Sequence, residues 1–364
     1  VKRRIATTIF GLALGVAGTQ VGAHAEAPQD RGTTVVASGL NNPRMISVGS
    51  DGALYVAEAG VGGSGPCITG AEGEACYGRT GAVTKIAGGK QTRVLSGLPS
   101  LAGPGGFSAS GPAGIAVSGS TYTLSYGLGA MPSARNDLPG MGRLLGTTVR
   151  GSFGSRATTI GDIAAWEGVK DFDGAGPDSN PGGLALSGRT AVVTDAGANA
   201  VVRVTPRGKM SLLAVLPSRL VPFGGGQIPM QSVPTAVAVG PDGAFYVSEL
   251  TGFPFPAKAA RIYRVVPGQR ATIYASGLTN VTGLTWSRGR LYAVQFADDG
   301  LLAVPEGELP MGSLVEVRRD GNHRVVASGL TAPYSVAVRG TDAYVTTCGL
   351  CAGLGGVSKV PLGG

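Results

Sequence analysis

The chain has 364 residues and a formal charge of +8, with 43% hydrophobic and only 14% charged residues; glycine and proline number 63 and 23. An apolar share that high excludes an intrinsically disordered chain, and the abundance of turn residues points to many short strands joined by tight turns. The basic residues are scattered and form no stripe interleaved with aromatics, which excludes a nucleic-acid-binding surface.

Lys2, Arg3 and Arg4 make a basic start, residues 5–18 an apolar core, and Ala23 and Ala25 place small side chains where a signal peptidase reads. Residues 1–25 are therefore expected to be a signal peptide, residues 26–32 a short linker, and the chain a secreted, extracellular protein. The apolar core is too short to span a bilayer comfortably, and no second such stretch follows. No membrane span is expected in the mature chain.

Residues 33–364 read as repeated units. In the fullest one, an apolar run follows Asn42, a turn falls at Asp51-Gly52, and a second run ends at Glu58. A Gly-rich loop leads to a third run from Gly81, and Gly88-Gly89 turns the chain into a fourth. Asp-Gly and Gly-Gly suit two-residue hairpins because both tolerate positive φ. Further units open near Pro112, at Asn180, at Pro234, at Asn280 and at Pro333. Six consecutive four-strand meanders predict an all-β fold, a six-bladed β-propeller of four-stranded antiparallel blades. No helix of useful length is expected.

The last unit lacks a fourth strand. Val-Ala-Ser-Gly-Leu at residues 36–40 has no blade before it, yet it repeats at 326–330, with Tyr-Ala-Ser-Gly-Leu at 274–278. The N-terminal strand is expected to pair beside residues 356–360, complete the last blade and remove a free edge.

Four cysteines, Cys67, Cys76, Cys348 and Cys351, favour disulfides in an exported chain. Local pairs, Cys67 with Cys76 and Cys348 with Cys351, are the simplest reading; a cross-blade pairing stays open. A four-cysteine zinc site is disfavoured because Cys67 and Cys76 are spaced too widely for a second knuckle.

The long loops all belong to one face of the ring, which is where ligand sites usually sit, at the mouth of the channel. Ends of second strands should point there: Glu58, Tyr126, Asp195, Glu249, Gln295 and Thr347. So should the openings of first strands, among them Asn42, Asn180 and Asn280. Oxygen ligands of this kind suit Ca²⁺, with Glu58, Asp195 and Glu249 as its carboxylates. The alternative is that these residues cap strand ends. Catalytic motifs are scarce. His323, the one histidine after the leader, lies in a hairpin and is expected to be solvated, which argues against a Ser-His-Asp triad at the mouth. Thr-Gly-Phe-Pro-Phe-Pro at 251–256 forms a stiff apolar projection that either lips the mouth or packs on its own blade.

Several of these segments resemble the ScyD/ScyE family, secreted propellers named for genes found beside scytonemin-pigment biosynthesis. The likeness runs over the chain after the leader. It rests on Gly-Ala-Leu-Tyr-Val-Ala-Glu-Ala-Gly at 52–60, Asp-Ile-Ala-Ala-Trp-Glu at 162–167, Asp-Ser-Asn-Pro at 178–181 and the 249–256 segment. Gly182 departs from it, since a larger residue is expected after Asn-Pro. The resemblance implies export and a six-bladed ring but no established activity. The leading expectation is a binding or scaffold module for a small molecule or an extracellular polymer or peptide. The alternatives are a Ca²⁺-assisted hydrolase or lactonase using the mouth carboxylates, and a structural envelope protein.

Overall fold

The computed structural model describes residues 32–363, so the expected signal peptide and most of the linker lie outside the described residues. Six antiparallel blades follow one another along the chain, each built on four strands, the first carrying a short fifth strand besides. Their inner strands are Pro43–Val48, Pro112–Ser118, Pro181–Ser187, Pro234–Val239, Val281–Ser287 and Ser335–Arg339. Each of these packs beside the next, and the sixth packs beside the first, so the ring is closed. This is the expected six-bladed propeller.

Closure happens as the sequence implies. Thr34–Leu40 is the outermost strand of blade 6, pairing Thr34 with Lys359 and Leu40 with Gly355. The recurring Ala-Ser-Gly-Leu has a physical meaning. In Thr34–Leu40, Thr272–Leu278 and Arg324–Thr331, the alanine and leucine are buried in the seam between blades. The intervening glycine takes positive φ, 72° at Gly39, 88° at Gly277 and 68° at Gly329. The pairing register slips there, which is a β-bulge with a left-handed glycine. Residues 94–98, Val-Leu-Ser-Gly-Leu, are a fourth copy that sequence reading passed over; Gly97 has φ 68° and the register slips beside it.

Hydroxyls stitch the inner strands together. Ser125 Oγ accepts from Gly114 N and donates to Gly182 O of blade 3, 2.6 Å away. Thr194 Oγ1 donates to Thr235 O, and Thr235 Oγ1 to Val281 O. Thr282 Oγ1 reaches Pro333 O, and Thr346 Oγ1 donates to Arg44 O across the closing seam. Each satisfies backbone groups that the inner-strand bulges release, which would otherwise be buried and unpaired.

Three elements depart from expectation. Helix α1 (Ile163–Lys170) follows the outer strand of blade 2, started by Asp162, whose side chain accepts from Ala165 N. A hairpin, Arg219–Phe223 with Gly226–Met230, is inserted between blades 3 and 4. The 60–80 segment is not all loop: Cys67–Gly70 pairs with the start of Gly73–Ala87. Among the described residues no helix is long and apolar enough to cross a membrane.

Candidate functional site

The second strands end at Glu58, Tyr126, Asp195, Glu249, Gln295 and Thr347, as expected. Where the terminal side chain is acidic or an amide, it turns back on a residue just ahead of its own blade's inner strand, through that residue's backbone N–H or hydroxyl. Glu58 Oε2 accepts from Asn41 N at 2.8 Å, and Oε1 from Thr84 Oγ1. Arg93 from the outer strand supplies a forked pair to the same carboxylate. Asp195 Oδ1 accepts from Asn180 N and Ala198 N, and Oδ2 from Ser179 Oγ at 2.6 Å. Glu249 takes both Arg219 Nη atoms at 2.8 Å, together with Ser232 Oγ and Arg261 N. Gln295 Oε1 accepts from Thr279 N, and its amide donates to Asp298 and Ser313. Tyr126 is buried in an apolar cluster with Ile115, Leu124 and Val149, and burial pushes its hydroxyl pKa up.

The three carboxylates, Glu58, Asp195 and Glu249, are fully buried. Burial in an apolar surround raises Asp195 to about 6, against the hydrogen bonds that favour its charged form. They do not converge into one metal centre. Among the described residues, the only three metal-liganding side chains within 4.8 Å of one another are Cys67, Glu74 and Cys76. The sulfurs of that group are bonded to each other. The physical reason is that each carboxylate sits on a different blade and is drawn back by partners near its own blade. The donor set expected for Ca²⁺ therefore does not fit an ion at a common centre.

The asparagines serve the same clasp. Asn42 Nδ2 donates to Gly60 O and Gly106 O, and Asn280 Nδ2 to Leu250 O. Asn180 Oδ1 accepts from Leu128 N of blade 2. Asn42 and Asn280 adopt positive φ, 49° and 40°, a conformation asparagine tolerates better than most residues. Gly182, the departure from the resemblance, has open space: a Cβ there would come no closer than 3.7 Å to any neighbour.

Both disulfides are local, Cys67–Cys76 and Cys348–Cys351, which replaces the cross-blade and zinc readings. Their loops share one face at the closing seam. Asn42 N donates to Cys351 O, and Ser108 N to Leu350 O. A cleft of about 390 Å³ lies between, lined by Val61, Glu74, Cys76, Pro104 and Ala352. His323 is half-buried rather than free in solvent; Nδ1 accepts from Arg318 N, and Nε2 lies 2.9 Å from Ser276 O of blade 4. The apolar projection packs on the inserted hairpin: Phe253 sits edge-to-face with Phe223 at 4.8 Å and contacts Phe255. Phe253, Phe223 and Leu220 stay exposed.

Sequence reasoning missed Arg44. It is buried, its Nη2 donates to Ala109 O at 2.6 Å, and its guanidinium lies 4.7 Å over the Tyr334 ring. The signal was present in the sequence. Apart from Arg339 at the hairpin end of its strand, Arg44 is the one charged side chain in the six inner strands.

The fold and this face define the chain as a six-bladed β-propeller with a clasped channel mouth. No protein-family model matches the chain, and no curated protein matches it. Solved structures do. A Bacteroides thetaiotaomicron protein of unknown function is 12% identical with a TM-score of 0.53, covering 92% of this chain and 76% of that one. An oxidoreductase described as a glucose dehydrogenase, from Thermus thermophilus, is 16% identical with a TM-score of 0.51, covering 90% and 99%. A virginiamycin B lyase of Staphylococcus aureus reaches 12% identity and a TM-score of 0.48, covering 91% and 99%. At these identities the first two likenesses establish the propeller fold alone.

Proposed function

We propose that this chain is an exported binding or scaffold propeller of the ScyD/ScyE type. Its loop face, around the channel mouth, takes a small molecule or an extracellular polymer or peptide. The observation that carries the reading is the commitment of the mouth carboxylates to intramolecular bonds. Glu58, Asp195 and Glu249 hold strand openings and arginines, and the hydroxyls that donate to them, Thr84, Ser179 and Ser232, are buried with them rather than presented to a ligand. The same face carries exposed Phe223, Phe253 and Leu220, a surface suited to stacking on a ligand. Two disulfides favour an oxidising compartment.

The test is co-sedimentation with insoluble cellulose, chitin and peptidoglycan, comparing the parent protein with the double variant Phe223→Ser, Phe253→Ser. Retention on one polymer, reduced in the variant, is the expected result. Turnover of aryl esters or lactones that disappears in Glu58→Gln would overturn the binding reading in favour of a hydrolase. The secreted form is expected to begin at Glu26, which N-terminal sequencing reads directly.

A further inference from the structure

Arg44 is the one buried inner-strand cation, and no acidic side chain among the described residues neutralises it. Among the described residues Glu58 is paired with Arg93, Glu249 with Arg219, Asp162 with Arg135, Glu316 with Arg324 and Asp342 with Lys359. Arg44 appears in no such pair. Its polar partners are neutral: one carbonyl, Ala109 O, and the face of Tyr334. A guanidinium carries five N–H donors, and only Nη2 donates to a protein atom among the described residues. The remaining nitrogens are not among the buried polar atoms left without a partner, so they are not sealed from solvent.

The surroundings hold the group still. Arg44 follows Pro43, whose ring fixes the backbone entering the strand, and Pro43 pairs with Glu58. Arg44 O accepts from Thr346 Oγ1 of blade 6. The side chain bridges three parts of the ring: its own blade, the loop after blade 1 through Ala109, and blade 6 through Tyr334. Tyr334 in turn meets Phe296 edge-on. An arginine whose stem is buried and whose face is stacked loses little further freedom on binding, which is what makes a guanidinium an anchor.

Resting on the binding reading above, we infer that the channel mouth recognises a carboxylate-bearing ligand, with Arg44 as the residue that receives the charge. A single guanidinium balances a single negative charge. A phosphate monoester dianion would leave one charge uncompensated beside a largely buried guanidinium, where that is costly. The planar fork matches the two oxygens of a carboxylate, and the neutral carbonyl and ring beside it leave the cation available. Glu58 of the same blade does not compete, because it is held by Arg93.

The experiment uses the whole protein and benzoate as the probe. Arg44 Nε–H is followed by ¹⁵N NMR and assigned through Arg44→Lys. Its resonance is expected to move and saturate with benzoate at a Kd of about 1 mM, the affinity of one anchoring contact. Benzamide, the neutral isostere, should leave it in place, and added salt should weaken the benzoate response. An unmoved resonance, or one moved equally by benzamide, overturns the inference. Because the wild-type signal is read, poor folding of a variant does not blunt the test. Peptidoglycan retention that persists in Arg44→Gln at unchanged thermal stability would sink the carboxylate assignment while leaving the binding reading intact. Loss of retention only in the Phe223, Phe253 variant would separate the two in the same way.

Discussion

Replacing Arg219 with methionine isolates the energetics of the clasp. Glu249 is fully buried and its carboxylate receives both Arg219 nitrogens, at 2.8 Å each, while Arg219 also donates to Ala259 O. Methionine keeps most of the packing of the stem and removes the charge. Glu249 then retains Ser232 Oγ and Arg261 N but loses its counter-charge. Removing one partner of a buried pair typically costs about 3–5 kcal/mol, because the other is left charged and desolvated. Replacing both, as Arg219→Met with Glu249→Leu, removes the stranded charge. Most of the loss should then return, apart from about 1 kcal/mol for each backbone or hydroxyl bond forgone. Urea unfolding of the parent, the two single variants and the double variant gives the coupling directly. A cost below about 1 kcal/mol for Arg219→Met, or strict additivity in the double variant, would refute the claim that the pair works as a buried clasp. The weaker counterpart is Arg93, which is 46% exposed beside a fully buried Glu58; its loss should cost less, since water can partly replace it.

Other consequences are open to the same measurement. Asp195 is raised to about 6 and Glu167 to about 7, each chiefly by burial. The folded protein therefore holds these protons more tightly than the unfolded chain. Stability should fall as pH rises from the ordinary carboxylate values, 3.8 and 4.5, to about 6 and 7. Asp195→Asn and Glu167→Gln should flatten that slope; an unaltered slope in both would exclude these groups as its source. Thr346→Val, nearly isosteric, strands Arg44 O and Ser335 N and should cost about 1–3 kcal/mol. Gly39→Ala has open space around it but must adopt φ 72°, so about 1–2 kcal/mol should be lost from backbone strain alone. Gly39→Asn should be milder, which a steric clash would not produce.

The blade count, the strand ends and the closing strand were legible because hairpin turns and period-two runs are local signals. All six second strands stop at the residues marked as ends. What those ends touch was not legible. Arg93 and Arg219 lie far along the chain from Glu58 and Glu249, and only the register of the blade and the inserted hairpin brings them together. Alternation could place a carboxylate at a strand end without saying whether it faces the channel or an arginine. Helix α1 escaped notice because its buried face is only Ile163, Ala164 and Glu167, too short for a helical period to stand out. Arg44 stands out in the sequence only once the inner strands are delimited, as a charge inside a run that is otherwise uncharged.

The closing strand also sets an order of events during synthesis. Thr34–Leu40 leaves the ribosome long before Gly355–Pro361, the segment whose backbone it must bond. Five blades can form their own sheets as they emerge, yet the sixth has no outer edge until the last strands are made. Until then the early strand presents unpaired peptide groups, and Ala37 and Leu40 have no complete seam to fill. Completion of the ring is therefore the slow, long-range step, and it is the one at which two half-finished molecules could exchange strands.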